Sequence, residues 1–238
     1  MATSVTETHE LHLTGAPSLS VRNSAGNIRL HPGSEGQILI VATKRIRGLL
    51  ANATEEDLQK VAVMVRQHGD DISVEVDMDR WSLFKQGTVD LDITVPATVA
   101  RLDLKLNAGN LEVEGVSGLL KIKVNAGNLD IESGTTLLDG SRLVTNAGNV
   151  TLSGAIAPEA SVEAEVNAGT LRVWLPRATA TYLDARTHAG NVEVSGWPVN
   201  STRNFASASA TGALAPGAKG TLTLRSNAGN IVLASLGE

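Results

Sequence analysis

Four carboxylates stand in two short runs, Leu111-Glu112-Val113-Glu114 and Leu129-Asp130-Ile131-Glu132. Paired carboxyl groups on one surface are the equipment of glycoside hydrolysis, one acting as general acid and the other as base or nucleophile. Alternation with apolar residues puts all four on the outward side of two strands. If those strands stack, Glu112, Glu114, Asp130 and Glu132 come together, and like charges in adjacent positions raise a carboxyl pKa. Lys105, Lys121 and Lys123 lie nearby in sequence, and no residue pattern marks a cleft.

The other reactive side chains are sparse. Of the five histidines, His9 and His12 are three apart in an extended segment, so they point to opposite faces, a poor metal geometry. His31, His68 and His188 are isolated, and His188 stands at a position where other copies of a repeat carry Asn. The sequence has no cysteine, so neither a disulfide nor a thiolate metal site can form. Phosphate-loop, His-Glu-x-x-His and Gly-x-Ser-x-Gly patterns are absent. We therefore expect no catalytic residues, no cofactor and no metal, and the chain reads as a non-enzyme.

The elements that hold these residues follow from a repeat. Asn107-Ala108-Gly109-Asn110 returns at Asn125-Ala126-Gly127-Asn128 and Asn146-Ala147-Gly148-Asn149. Variants follow at Asn167-Ala168-Gly169-Thr170, His188-Ala189-Gly190-Asn191 and Asn227-Ala228-Gly229-Asn230, with an early outlier at Ser24-Ala25-Gly26-Asn27. From Asn107 to His188 the steps are 18, 21, 21 and 21 residues; the last step, to Asn227, is 39, close to two coils or one coil with an insertion. Apolar residues stand four and six positions after each motif start, with polar residues between, which is the pattern of a half-buried strand. A second strand precedes each motif. Recurrence of the same residues favours stacking of equivalent strands in parallel over a meander. The predicted fold is all-β: a right-handed parallel β-solenoid of about 18–21 residues per coil.

The corner residues have physical roles in that fold. Gly109, Gly127, Gly148, Gly169, Gly190 and Gly229 supply backbone angles closed to other residues. Asn107, Asn125, Asn146, Asn167 and Asn227, with His188 in the same position, form a ladder whose amides donate to one coil and accept from the next. In the outward row, Asp103 should face Lys121 and Arg142 should face Glu163.

One domain spans 1–238: irregular N-terminal coils over 28–106, regular repeats over 107–195 and irregular coils over 196–238. An inserted α-helix is expected near 55–67, with Thr54 and Asp57 as a capping box and Leu58, Val61, Ala62 and Val65 on one face. Trp81 and Phe84 follow it, as packing beneath the helix or as a candidate contact patch.

Composition narrows the function classes. Hydrophobic residues are 42% and aromatics only 3%, so the core is aliphatic, as stacked layers allow. A formal charge of −5 argues against nucleic acid, and no apolar run approaches the ~18 residues of a spanning helix. The N-terminus has no signal-peptide pattern, which points to the cytoplasm, with the cell envelope or surface as the alternative.

The run Leu104-Lys105-Leu106-Asn107-Ala108-Gly109-Asn110-Leu111-Glu112-Val113, repeated down the chain, resembles the bacterial "putative adhesin" family of β-strand-repeat domains of unknown function. That resemblance covers most of 19–234 and implies a single-stranded right-handed β-helix with no catalytic residues to carry over. The expected function is a scaffold or adhesin-like binding module that associates with itself end to end or with another protein. A carbohydrate-binding or carbohydrate-active β-helix is the alternative, with a glycan as ligand.

Overall fold

The computed structural model describes residues 2–48, 55–78 and 85–236. The N-terminal part runs β1 (Ala2–His12), β2 (Ser18–Ala25), β3 (Ile28–Pro32), β4 (Gln37–Gly48), helix α1 (Glu55–Gln59), β5 (Val61–His68), β6 (Asp71–Met78) and β7 (Lys85–Val95). The repeats follow as β8 (Thr98–Ala108), β9 (Leu111–Val113), β10 (Ser117–Ala126), β11 (Leu129–Ile131), β12 (Thr136–Leu137), β13 (Arg142–Ala147), β14 (Val150–Ser153), β15 (Ala155–Ile156), β16 (Ser161–Ala168) and β17 (Leu171–Leu175). The remainder is β18 (Tyr182–Ala189), β19 (Val192–Ser195), β20 (Ser201–Arg203), β21 (Ala208–Ala213), β22 (Thr221–Ala228) and β23 (Ile231–Ser235).

Each repeat contributes one strand to each of two large sheets, with the Asn-Ala-Gly-Asn corner between them. Parallel pairing holds β2, β8, β10, β13, β16, β22 and β18 in one sheet and β3, β9, β11, β14, β17, β23 and β19 in the other. The inward rows, such as Leu102, Leu104 and Leu106 with Leu111 and Val113, are buried in one aliphatic core. A third, minor ladder pairs β12 with β15.

Two features depart from a simple progression of coils. The coil of β2 and β3 stacks directly on that of β8 and β9, so β4 to β7 form an insertion beyond them. Within it β6 and β7 extend the two sheets in parallel and β5 and β4 add antiparallel strands, while β1, from before the first coil, pairs antiparallel with β4. At the other end, the coil of β22 and β23 lies between that of β16 and β17 and that of β18 and β19. Of the two readings of the 39-residue step, the structure has one coil with an insertion. The insertion, residues 196–220, forms β20 and β21, which pair antiparallel on the outer edge of β18.

The expected helix near 55–67 is corrected. Helix α1 is a short turn, Glu55–Gln59, and the residues placed on its continuing face, Val61, Ala62 and Val65, belong to β5. Val61, Val63 and Val65 also alternate, and β5 pairs antiparallel with β6, Val63 opposite Val76 and Val65 opposite Val74. β-Branched side chains are restricted in a helix and pack well on a pleated surface, so the available strand partner decides. Thr54, Trp81 and Phe84 lie outside the described residues.

Candidate functional site

The corner stack is built by contact between glycines. Gly109, Gly127, Gly148, Gly169, Gly229 and Gly190 all have positive φ, and a Cβ on any of them would fall inside the carbonyl oxygen of the neighbouring coil's glycine. The Asn side chains run as predicted for a ladder: Asn125 donates to Asn107 at 2.8 Å, Asn146 to Asn125 and Asn167 to Asn146 at 2.9 Å, and Asn227 to Asn167 at 2.5 Å. His188 occupies the rung beyond Asn227. A second row supports the first. The Oδ1 of Asn27, Asn110, Asn128 and Asn149 each accept the backbone N–H one coil on, from Asn110, Asn128, Asn149 and Thr170, at 3.0–3.1 Å. The bend's outward amides thus find partners in the next rung through most of the stack.

On the outward side of the sheet containing β9 and β11, register sets Asp92, Arg29, Glu112 and Asp130 on successive strands. Arg29 donates to Glu112 through Nε and Nη2 at 3.2 and 3.1 Å. Asp130, directly beside Glu112, has no ion-pair partner among the described residues. Arg45 pairs with Asp90, and His31 lies 2.7 Å from Asp92. Arg29, Arg45, Asp90, Asp92, Glu112 and Asp130 line a groove of about 390 Å³. Glu114 and Glu132 sit just past the ends of β9 and β11, their backbone N–H groups bonded to Leu30 and Val113. Stacking therefore brings Glu112 to Asp130, while Arg29, Asp90 and Asp92 arrive from the N-terminal insertion and its neighbouring coil. The repeat at Ser24-Ala25-Gly26-Asn27 sets Arg29 at the same outward position as Glu112 and Asp130, and the alternation in Val89-Asp90-Leu91-Asp92-Ile93 was the hint of the other two.

The other sheet turns a different outward row to solvent. Lys121 stands between Asp103 and Arg142 in register, as expected, but Asp103 pairs with Arg101 (3.1 Å) and Lys105 (3.6 Å) on its own strand. Arg142 pairs with Glu163, and with Glu165 at 3.0 Å. Further along, Arg225 donates to Asp184 at 2.6 Å, and this hydrogen bond holds the Asp184 carboxyl below its ordinary range and raises the guanidinium. Lys105, Lys121 and Lys123, close to the carboxylates in sequence, are on this sheet, across the corner from Glu112 and Asp130.

Among the described residues no group of three or more His, Asp or Glu side chains could hold a metal ion, and no helix is long and apolar enough to cross a membrane. His9 lies on β1 with a buried Nε2 that has no hydrogen-bond partner, whereas the His12 residue is exposed.

A sequence profile of one family, Toastrack DUF4097, matches residues 14–234. The chain belongs to that family. No curated protein matches this Toastrack chain in sequence. Among solved structures, the Toastrack fold is shared with a putative cell adhesion protein from Clostridium sporogenes ATCC 15579. That protein is 13% identical with a TM-score of 0.54, and the match covers 98% of this chain and 100% of the other. A putative adhesin from Bacteroides fragilis NCTC 9343 is 12% identical with a TM-score of 0.44, covering 98% of this chain and 97% of that one.

Proposed function

We propose that this Toastrack chain is a non-enzymatic, adhesin-like binding module that pairs with a second copy of itself through the β1 end of its stack. Its coils wind in the right-handed sense that parallel β-connections take. The observation that carries the reading is β1: an eleven-residue strand paired with β4 and standing last in the strand order of its sheet. Edge strands are ordinarily guarded by lysine, proline, a bulge or brevity. β1 has neither lysine nor proline, pairs with β4 without a register break, and leaves Val5 exposed. At the opposite end the two sheets finish in β20, three residues carrying Arg203, and β19, four residues carrying Glu193. A long edge strand at one end and short, charged edge strands at the other favour a closed twofold pair over a filament.

The adhesin-like part agrees with the description of the Clostridium sporogenes protein that shares the fold. It carries with it the cell envelope as the place of action. Protease shaving of intact cells should then remove the protein; survival until lysis would turn the reading into a cytoplasmic scaffold. Self-pairing is tested by light scattering over a range of concentrations with the wild type and the outward variants Ser4→Lys and Thr6→Lys. A dimer fraction that rises with concentration and disappears in the variants is expected. A wild type that stays monomeric at high concentration, or variants that dimerise equally, overturns it.

A second reading rests on the groove beside Glu112 and Asp130. Its acceptor-rich wall suits the hydroxyl groups of a neutral oligosaccharide. Such ligands should raise the melting midpoint in the wild type and not in Glu112→Ala; no shift in either protein removes this reading.

A further inference from the structure

Charges on the β8–β10 face obey a local rule almost everywhere. Arg142 lies against Glu163 and Glu165, and Arg225 against Asp184. The exception is one row. Register places Arg22 beside Lys105 and Lys105 beside Lys123, three cations on consecutive strands. Lys121 joins them from the adjacent outward row, between Asp103 and Arg142. Two carboxylates flank them, and both are engaged: Asp103 is shared by Arg101 and Lys105, and Glu75, in register beside Arg22, pairs with Arg66 at 3.8 Å. Arg22, Lys121 and Lys123 have no ion-pair partner among the described residues. Like charges directly opposite each other on neighbouring strands destabilise a sheet. A chain with net charge −5 nevertheless keeps this row. A local rule broken without compensation marks a surface kept for binding.

We infer that this row is a binding track for a linear acidic polysaccharide, with the polymer running along the stacking axis so that successive carboxylate or sulfate groups meet successive rungs. Arg22, Lys105 and Lys123 repeat at the strand spacing of about 4.8 Å, which suits an anion on each sugar. Next to the row lies a groove of about 580 Å³, bordered by Lys121, Lys123, Ser141, Ser161 and Thr223. The hydroxyl groups of Ser161 and Thr223 there can meet sugar hydroxyls, while Ser141 is buried and accepts the Leu120 N–H. No aromatic side chain borders the groove, so bases have no stacking platform, which disfavours single-stranded nucleic acid. The excess negative charge of the whole chain disfavours broad contact with an anionic membrane. The track is on the opposite sheet from the Glu112 groove and is independent of pairing through β1.

The test measures binding of the full-length protein to polygalacturonate by calorimetry at two salt concentrations. Neutral dextran, a single-stranded oligonucleotide and phosphatidylserine vesicles serve as comparisons. Polygalacturonate should bind, more weakly at high salt, and the other three should not. Lys105→Glu with Lys123→Glu should weaken binding by about 10-fold to 100-fold, while Arg172→Glu on the other sheet should leave it unchanged. Lys123→Ala separates binding from folding. It should weaken polygalacturonate binding and yet raise the melting midpoint by about 1–2 °C, because a like-charge contact is relieved. Absence of polygalacturonate binding, full binding in the charge-reversed variant, or equal binding of the oligonucleotide or vesicles overturns the inference.

Discussion

Replacing Gly127 by Ala tests how the coils are held together. Gly127 has φ +138°, and an added Cβ would overlap the carbonyl oxygen of Gly109 one rung away. The backbone geometry alone costs an ordinary L residue about 1–2 kcal/mol. The overlap is with main chain, so no side-chain rotation relieves it. The corner has to lift, which strains the bonds from Gly109 N–H to Ala126 O (3.0 Å) and from Leu111 N–H to Asn128 O (2.9 Å). At about 0.5–1.5 kcal/mol for each bond, and more where a group is left buried without a partner, the sum comes to about 3–5 kcal/mol. For a domain of this size that lowers the melting midpoint by about 6–20 °C. Gly69 provides the control. Its φ is +62°, in the left-handed region that an L residue enters at about 1–2 kcal/mol, and nothing lies within 4 Å of its would-be Cβ, so Gly69→Ala carries a left-handed backbone cost without the overlap. Urea titrations followed by circular dichroism, with both variants beside the wild type, give the comparison. Equal losses for Gly127→Ala and Gly69→Ala would refute the claim that glycine-on-glycine contact sets the coil spacing.

Thr145 is fully buried, its Oγ1 has no hydrogen-bond partner, and its neighbours on the two adjoining strands are Val124 and Val166. Thr145→Val should therefore stabilise the protein by about 1 kcal/mol, and a lower urea midpoint would contradict this. Lys44 is buried and bonds Glu7 at 2.5 Å. Glu7→Gln, which removes the counter-charge, should cost about 1–2 kcal/mol, while Lys44→Met should cost less than about 1 kcal/mol; the reverse order in thermal melts would show the pair to be dispensable. The Asp184 carboxyl is held below its usual value chiefly by the hydrogen bond from Arg225. Its stabilising effect is therefore present above about pH 4, the unfolded value, and is lost as pH falls through the depressed folded value. Asp184→Asn should flatten that part of the acid-stability curve, and an unchanged acid slope would count against the assignment.

The corner stack was legible because its chemistry is local. Asn-Ala-Gly-Asn specifies a bend, and identical bends stack in one register, so Glu112 falls beside Asp130 and Arg142 beside Glu163. The order of the coils was not legible. The corners at Gly190 and Gly229 are chemically alike, and nothing local says which stacks on Gly169. The segment from Val61 to Val65 satisfies helical and strand spacing at once, and only the presence of β6 as a partner decides it. The groove was half hidden for a related reason: Arg29 reaches Glu112 across 83 residues of sequence, over an insertion that the repeat does not index. Charge pairing was legible as register but not as partner choice. Asp103 does face Lys121, yet it bonds to residues of its own strand.

The place of β22 and β23 between older neighbours has a consequence for how the molecule is made. When residues 182–195 leave the ribosome, the coil they will stack on has not yet been synthesised. The edge formed by β16 and β17 must stay open meanwhile, although β18 and β19 carry corner chemistry compatible with it. Such an early pairing would close the stack one rung short and leave the later segment without a berth. The native order is reached only when residues 221–235 take the gap and make ladders on both sides. The segment acts as a keystone: contributing little until it arrives, it then joins two blocks, and the distal coil with its β20–β21 hairpin depends on it for attachment. Closing contacts between segments far apart in sequence is slow, so assembly at this end should lag behind that of the consecutive coils from β8 to β17.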